Sequence, residues 1–89
     1  MTPETIIKKQ IKDYLKIKHW MVFHILQGIG SYHGICDLIA IKNGLVYFIE
    51  VKTENGRQSE AQKQFGTSIV LSGGNYIIVK SLDDIIKIA

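Results

Sequence analysis

The sequence predicts a mixed α/β fold of order α-β-β-β-α-β-α, in which a four-stranded mixed sheet is flanked by helices. Three observations carry that prediction. An amphipathic helical period opens the chain, two alternating apolar runs flank Asn43-Gly44, and a second helical period separates that hairpin from a further apolar strand.

Each element has its local reasons. Thr2 is a good N-cap, Pro3 suits the first helical position, and Glu4 favours the positive end of the helix dipole. The first helix should run to about Lys18, with Ile7, Ile11 and Tyr14 as its buried stripe and Glu4 on that same stripe. A carboxylate facing inward needs a partner. Trp20 to Leu26 alternates as a strand, and the loop 27–34 that follows carries glycines that allow close backbone approach. Asn43-Gly44 is the strongest short-range signal for a two-residue type I′ turn. Glu54-Asn55-Gly56 reads as a further turn, and Ser59-x-x-Gln62 has the form of a capping box at the start of the second helix. Ala61, Phe65 and Ile69 supply that helix with core contacts, and Gly73-Gly74 ends it with a left-handed cap. Tyr76 to Lys80 is a strand, and Ser81 caps a final short helix through Ile88. A helical crossover between the third and fourth strands favours parallel pairing, which makes the sheet mixed.

A chain of 89 residues is expected to form one domain, 1–89, with a single modest core to which a partner or second copy adds stability. The hydrophobic fraction of 46% with 21% charged residues is ordinary for a globular protein. No apolar run approaches the roughly 18 residues of a membrane span, so no membrane partner is expected. Met1-Thr2-Pro3-Glu4 leads straight into a charged amphipathic pattern and does not read as a signal peptide. One cysteine, Cys36, cannot form an internal disulfide, which suits a reducing cytosol. The net charge of +3 permits nucleic-acid binding without demanding it. Lys8, Lys12 and Lys16 form an i, i+4 row, either a solvated face or a ridge that contacts phosphates.

The hairpin carries the chemistry. Its turn fixes the register so that Lys42 faces Leu45, Ile41 faces Val46, Ile39 faces Phe48 and Asp37 faces Glu50. Like charges placed directly cross-strand are destabilising unless something positive lies between them, and a divalent cation is the obvious candidate. Lys52 projects to the same face as Glu50, while Val51 points away and leaves its backbone carbonyl beside the site. An ordinary ion-paired strand end is the simpler reading. It does not explain two opposed acids beside a glycine-rich loop. Mg²⁺ fits such a site best, taking oxygen ligands from one or two carboxylates and keeping several waters, and Mn²⁺ should substitute. His19, His24 and His33 lack zinc spacing. Cys36 has no partner base that would make it a nucleophile.

Gly34-x-x-Asp37 followed by Glu50-x-Lys52, with Glu4 upstream and Ser59-x-x-Gln62 downstream, resembles the PD-(D/E)XK nucleases, and among them most closely the virus-type replication-repair nuclease (VRR-NUC) domain. The resemblance covers essentially the whole chain. One departure is Cys36, which stands where the family usually has proline; it changes local stiffness and leaves the carboxylate chemistry intact. The resemblance implies a restriction-endonuclease-like fold and metal-dependent phosphodiester hydrolysis. Asp37, Glu50 and the Val51 carbonyl would hold the metal, and Lys52 would either act on the attacking water or stabilise developing charge. Glu4 would complete the acidic cluster indirectly, through water or a second metal, or serve only the helix dipole. Gln62 would position water or phosphate, or serve only the capping box. Tyr32 and His33, in the loop before the acids, are candidate DNA contacts alongside the lysine row.

Resemblance to stand-alone, phage-type members further implies a homodimer that cuts branched DNA, four-way (Holliday) junctions above all, in repair or recombination, in the cytoplasm, which is that of a bacterial host if the protein is phage-encoded. Within the enzyme class the alternative is a nuclease acting on flaps, ends or duplex. From a different class it is a DNA-binding module that holds metal without cutting, against which the intact Glu50-x-Lys52 argues. A purely structural protein would leave the paired acids as an unexplained liability.

Overall fold

The computed structural model describes residues 1–26 and 32–89. The glycines expected to bring the loop backbone close, Gly28 and Gly30, lie outside the described residues. The elements are α1 (Pro3–Ile17), β1 (Met21–His24), β2 (Leu38–Lys42), β3 (Leu45–Val51), α2 (Glu60–Leu71), β4 (Asn75–Val79) and α3 (Leu82–Ile86). They form a four-stranded sheet of order β1-β2-β3-β4. The first three strands are antiparallel and β4 runs parallel to β3, as the α2 crossover requires.

Alternation along β3 divides the molecule into layers. Tyr47, Ile49 and Val51 face α1 and α3, where Ile11, Leu15, Trp20, Leu38, Val79 and Ile85 close the main core. Phe48 and Glu50 face the other way, toward α2. There Phe65 stacks edge-on against Phe48 and Tyr76, with ring centroids 6.1 and 6.0 Å away. Glu50 therefore stands on the α2 side of the sheet.

The local signals behave as their chemistry dictates. Thr2 accepts from the Thr5 N–H, and Asn43 and Gly44 both take positive φ (51° and 82°), as a type I′ turn demands. Ser59 and Gln62 make both bonds of the capping box, and Gly73 is left-handed at φ 86°. Three expectations shift. The inward stripe of α1 centres on Ile11 and Leu15, with Ile7 and Tyr14 only half-buried. The strands are β1 (Met21–His24), shorter than Trp20 to Leu26, and β4 (Asn75–Val79), one residue earlier than Tyr76 to Lys80. Ser81 makes no side-chain cap and α3 stops at Ile86; instead the Asp84 carboxylate reaches back to accept from the Lys80 N–H at 2.8 Å. No helix among the described residues is long and apolar enough to cross a membrane.

Candidate active site

The hairpin register holds from Lys42↔Leu45 to Leu38↔Ile49 and then breaks. Asp37 is not the ladder partner of Glu50: its N–H donates to the Ile49 carbonyl at 3.0 Å, one residue out of step, and its carbonyl accepts from Ile25 at 2.9 Å. The Asp37 side chain then replaces a backbone acceptor, with Oδ2 taking the Val51 N–H at 2.8 Å. This buried bond pins the carboxylate to the end of β3. On the strand's other edge the Lys52 N–H donates to Val79 at 2.9 Å. Because a residue's N–H and C=O leave a strand on the same edge, the Val51 carbonyl lies on the side of Asp37.

Asp37 and Glu50 are the two buried charged side chains among the described residues, at 7% and 1% exposure. They line a cleft of about 460 Å³ together with Glu4, Lys8, His24, Lys52 and Gln62. The first turns of α1 and the start of α2 converge there on the end of the sheet. Glu50 Oε2 accepts from Gln62 Nε2 at 3.3 Å and lies 3.8 Å from Lys52 Nζ. Gln62 keeps its other atom in the capping box, accepting from the Ser59 N–H at 2.9 Å. One residue thus fixes the helix start and touches the acid.

Gly34 explains how the loop meets this helix. Its φ is 77°, and a Cβ there would overlap the Ala61 carbonyl group and press on the Gln62 nitrogen. The chain that delivers Asp37 is seated against the turn that delivers Gln62, and only glycine permits that approach.

Glu50 Oε1 is buried with no hydrogen-bond partner among the described residues. Burial first, then the neighbouring Asp37 carboxylate, pushes the Glu50 carboxyl up to about 8, with Lys52 opposing and Glu4 adding to the shift. Lys52 stands 3.8 Å from one Glu50 oxygen, and the other oxygen is left to face the cleft uncompensated. The donor set is hard oxygen, and an oxygen-seeking dication such as Mg²⁺ fits it, with Asp37, Glu50 and the Val51 carbonyl on one side of an open cleft. Glu4 lines that cleft, but the described residues contain no group of three or more His, Cys, Asp or Glu side chains that could hold a metal. Burial, with Glu50 adding to it, pushes the Cys36 thiol up to about 11, so it stays protonated and unreactive at neutral pH.

The lysine row of α1 divides. Lys8 turns into the acid cleft, its Nζ 3.1 Å from Asp37 Oδ1. Lys12 and Lys16 stay on the outer face and, with Thr5 and His24, line a neighbouring cleft of about 320 Å³. Tyr32 and His33 do not line the acid cleft; both are exposed, and Tyr32 stacks edge-on against Phe65 at 5.6 Å. Sequence reasoning missed Lys8 as a cleft residue, although its i, i+4 spacing from Glu4 puts it on the same helix face. It also missed His24, which lines both clefts. Partial burial and then Lys12 and Lys8 hold the His24 imidazole below its usual pKa.

Neither the protein-family models nor the curated proteins contain a match to this chain. Among solved structures, the chain is similar to one described as a "VRR_NUC domain", at 25% identity and a TM-score of 0.85, over 98% of this chain and 94% of that one.

Proposed function

We propose, from the premise that the chain is a VRR-NUC domain and so a nuclease domain of the PD-(D/E)XK type, that it is a metal-dependent DNA endonuclease hydrolysing phosphodiesters. The observation that carries this reading is the buried Asp37–Glu50 pair at the end of β3, with one Glu50 oxygen unpartnered among the described residues and Lys52 and Gln62 on the other.

Asp37, Glu50 and the Val51 carbonyl would hold Mg²⁺, or Mn²⁺ in its place. Such an ion, when bound, makes water a nucleophile near neutral pH and polarises phosphoryl oxygens. The protein's own groups do the rest. Lys52, at 16% exposure, presents a compact cation at the cleft wall, where it orients the attacking water or stabilises charge that grows on the phosphate. Gln62 holds Glu50 in position from α2. Glu4 adds negative charge at the cleft mouth and would act through water. Lys12 and Lys16 supply phosphate contacts outside the reacting centre, and Tyr32 and His33 extend that surface from the loop.

The proposed substrate is branched DNA, above all the four-way junction, and the proposed working form is a homodimer. A two-fold dimer presents two equivalent clefts to a substrate of approximate two-fold symmetry.

The test is cleavage of labelled four-way junction, flap and duplex DNA with and without Mg²⁺. Junction cutting that needs Mg²⁺ and disappears in Asp37→Asn is the expected result. Lys52→Ala should lower kcat by about 10²-fold or more while DNA affinity stays within a few-fold, because its contribution grows in the transition state. Preference for flap or duplex would reassign the substrate, and near-normal Mg²⁺-dependent activity in Asp37→Asn would remove the metal assignment.

A further inference from the structure

The four carboxylate oxygens of the Asp37–Glu50 pair are engaged unequally. Asp37 Oδ2 holds the buried Val51 N–H at 2.8 Å, and surrendering that bond would orphan a buried amide. Glu50 Oε2 is shared by Gln62 and Lys52. Among the described residues, the oxygens left for a cation are therefore Glu50 Oε1, which has no hydrogen-bond partner, and Asp37 Oδ1, which is held by the Lys8 ammonium at 3.1 Å.

We propose that Lys8 is the internal counter-cation of this site: its ammonium holds Asp37 Oδ1 while the site is empty, and a divalent ion binds by displacing it. The inference rests on the metal-site reading above and adds a residue to it. Two cations cannot share one carboxylate oxygen at contact distance in a partly buried cleft without strong repulsion.

The structure also gives Lys8 somewhere to go. It is 26% exposed, sits on a flexible four-carbon stem, and lines both the acid cleft and the neighbouring cleft along α1. Turning into the second cleft moves its charge beside Lys12 and Lys16 and away from the carboxylates. Lys52 is differently placed, since its nearest acid oxygen is Glu50 Oε2, which is not one of the open pair. The two lysines thus divide the work: Lys52 stays with Glu50, and Lys8 yields its oxygen to the ion.

Calorimetric titration of Mn²⁺ into DNA-free wild type, Lys8→Met and Lys12→Met tests this directly. Lys8→Met removes the competing charge and keeps most of the stem, so it should bind Mn²⁺ about tenfold or more tightly than wild type. Lys12→Met removes the same charge one turn along the helix and should shift affinity less than about threefold. Unchanged or weaker binding in Lys8→Met would overturn the proposal while leaving the metal site standing. Equal tightening in both variants would also overturn it, reducing the effect to the general field of the helix. Absence of binding in all three proteins would remove the metal reading itself. A second measurement uses wild type alone, by acylation footprinting of lysines read by mass spectrometry. Labelling of Lys8 should rise on adding Mn²⁺ as its ammonium is freed, and an unchanged or falling signal would count against displacement.

Discussion

Glu50 concentrates the tension in this molecule into one side chain. A carboxyl whose pKa is ordinarily 4.5 is pushed up to about 8 by burial and by Asp37, so the folded protein binds a proton that the unfolded chain has released. Between those two values the native state holds more protons, and stability falls as pH rises. Below the lower value both states are protonated and the penalty is absent. The metal-free protein should therefore be more stable near pH 5 than near pH 8.5 as far as Glu50 is concerned. Glu50→Gln, which keeps the shape without the charge, should flatten that slope and stabilise the metal-free protein at pH 8 by about 1 kcal/mol or more. Chemical denaturation of both proteins across this range, with a chelator present, measures the difference. A wild-type protein that gained stability over the window relative to Glu50→Gln would contradict the assignment.

The helices owe their boundaries to capping, and one boundary carries strain. The end of α1 closes with Trp20 N–H donating to the Leu15 carbonyl at 2.9 Å and His19 N–H donating to Lys16 at 3.0 Å, an arrangement that forces a left-handed residue at the cap. That residue is His19, with φ 68°. A side chain with a Cβ is disfavoured there, whereas glycine is not. His19→Gly should stabilise the protein by roughly 0.5–1 kcal/mol, somewhat offset by the extra freedom glycine gives the unfolded chain. Thermal unfolding should show a higher Tm, and a lower one would mean that the exposed imidazole makes a contact worth more than the strain. By contrast, the start of α2 needs no such repair. Its capping box is complete, and Gln62 extends the box into the cleft.

The whole molecule is a sheet whose two faces are covered by different helices, α1 and α3 on one and α2 on the other. The acid cleft opens where the first turns of α1 and α2 overhang the same sheet end. Under the proposed nuclease function, one such cleft would cut one phosphodiester at a time, so paired incision of a junction calls for two held in fixed relation. Mixed dimers of active and Asp37→Asn subunits should nick a supercoiled cruciform but rarely linearise it in one encounter. Sedimentation should show a dimer at working concentration. A monomer, in solution and on DNA, that makes both cuts in one binding event would defeat the dimer model and leave the nuclease reading intact.

Local chemistry determined much of this protein without help. The element order, the Asn43-Gly44 turn, the hairpin register up to Leu38 and the capping box at Ser59 follow from side chains acting within a few residues of one another, and each is present. The convergence of Asp37, Glu50, Lys52, Gln62 and Glu4 on one cleft was legible from motif order, because the hairpin and the two helix starts bring them to one end of the sheet. Three features were decided only by tertiary structure. Asp37 left the ladder because its carboxylate found a better use as the acceptor for Val51, a bond between residues 14 positions apart. Lys8 parted from the lysine row of α1 because the packing of α1 on the sheet set its stem within reach of that same carboxylate. Gly34 acquired its necessity from a helix that begins far downstream, at Glu60. In each case the deciding partner lies on another element, and its position depends on how the layers pack.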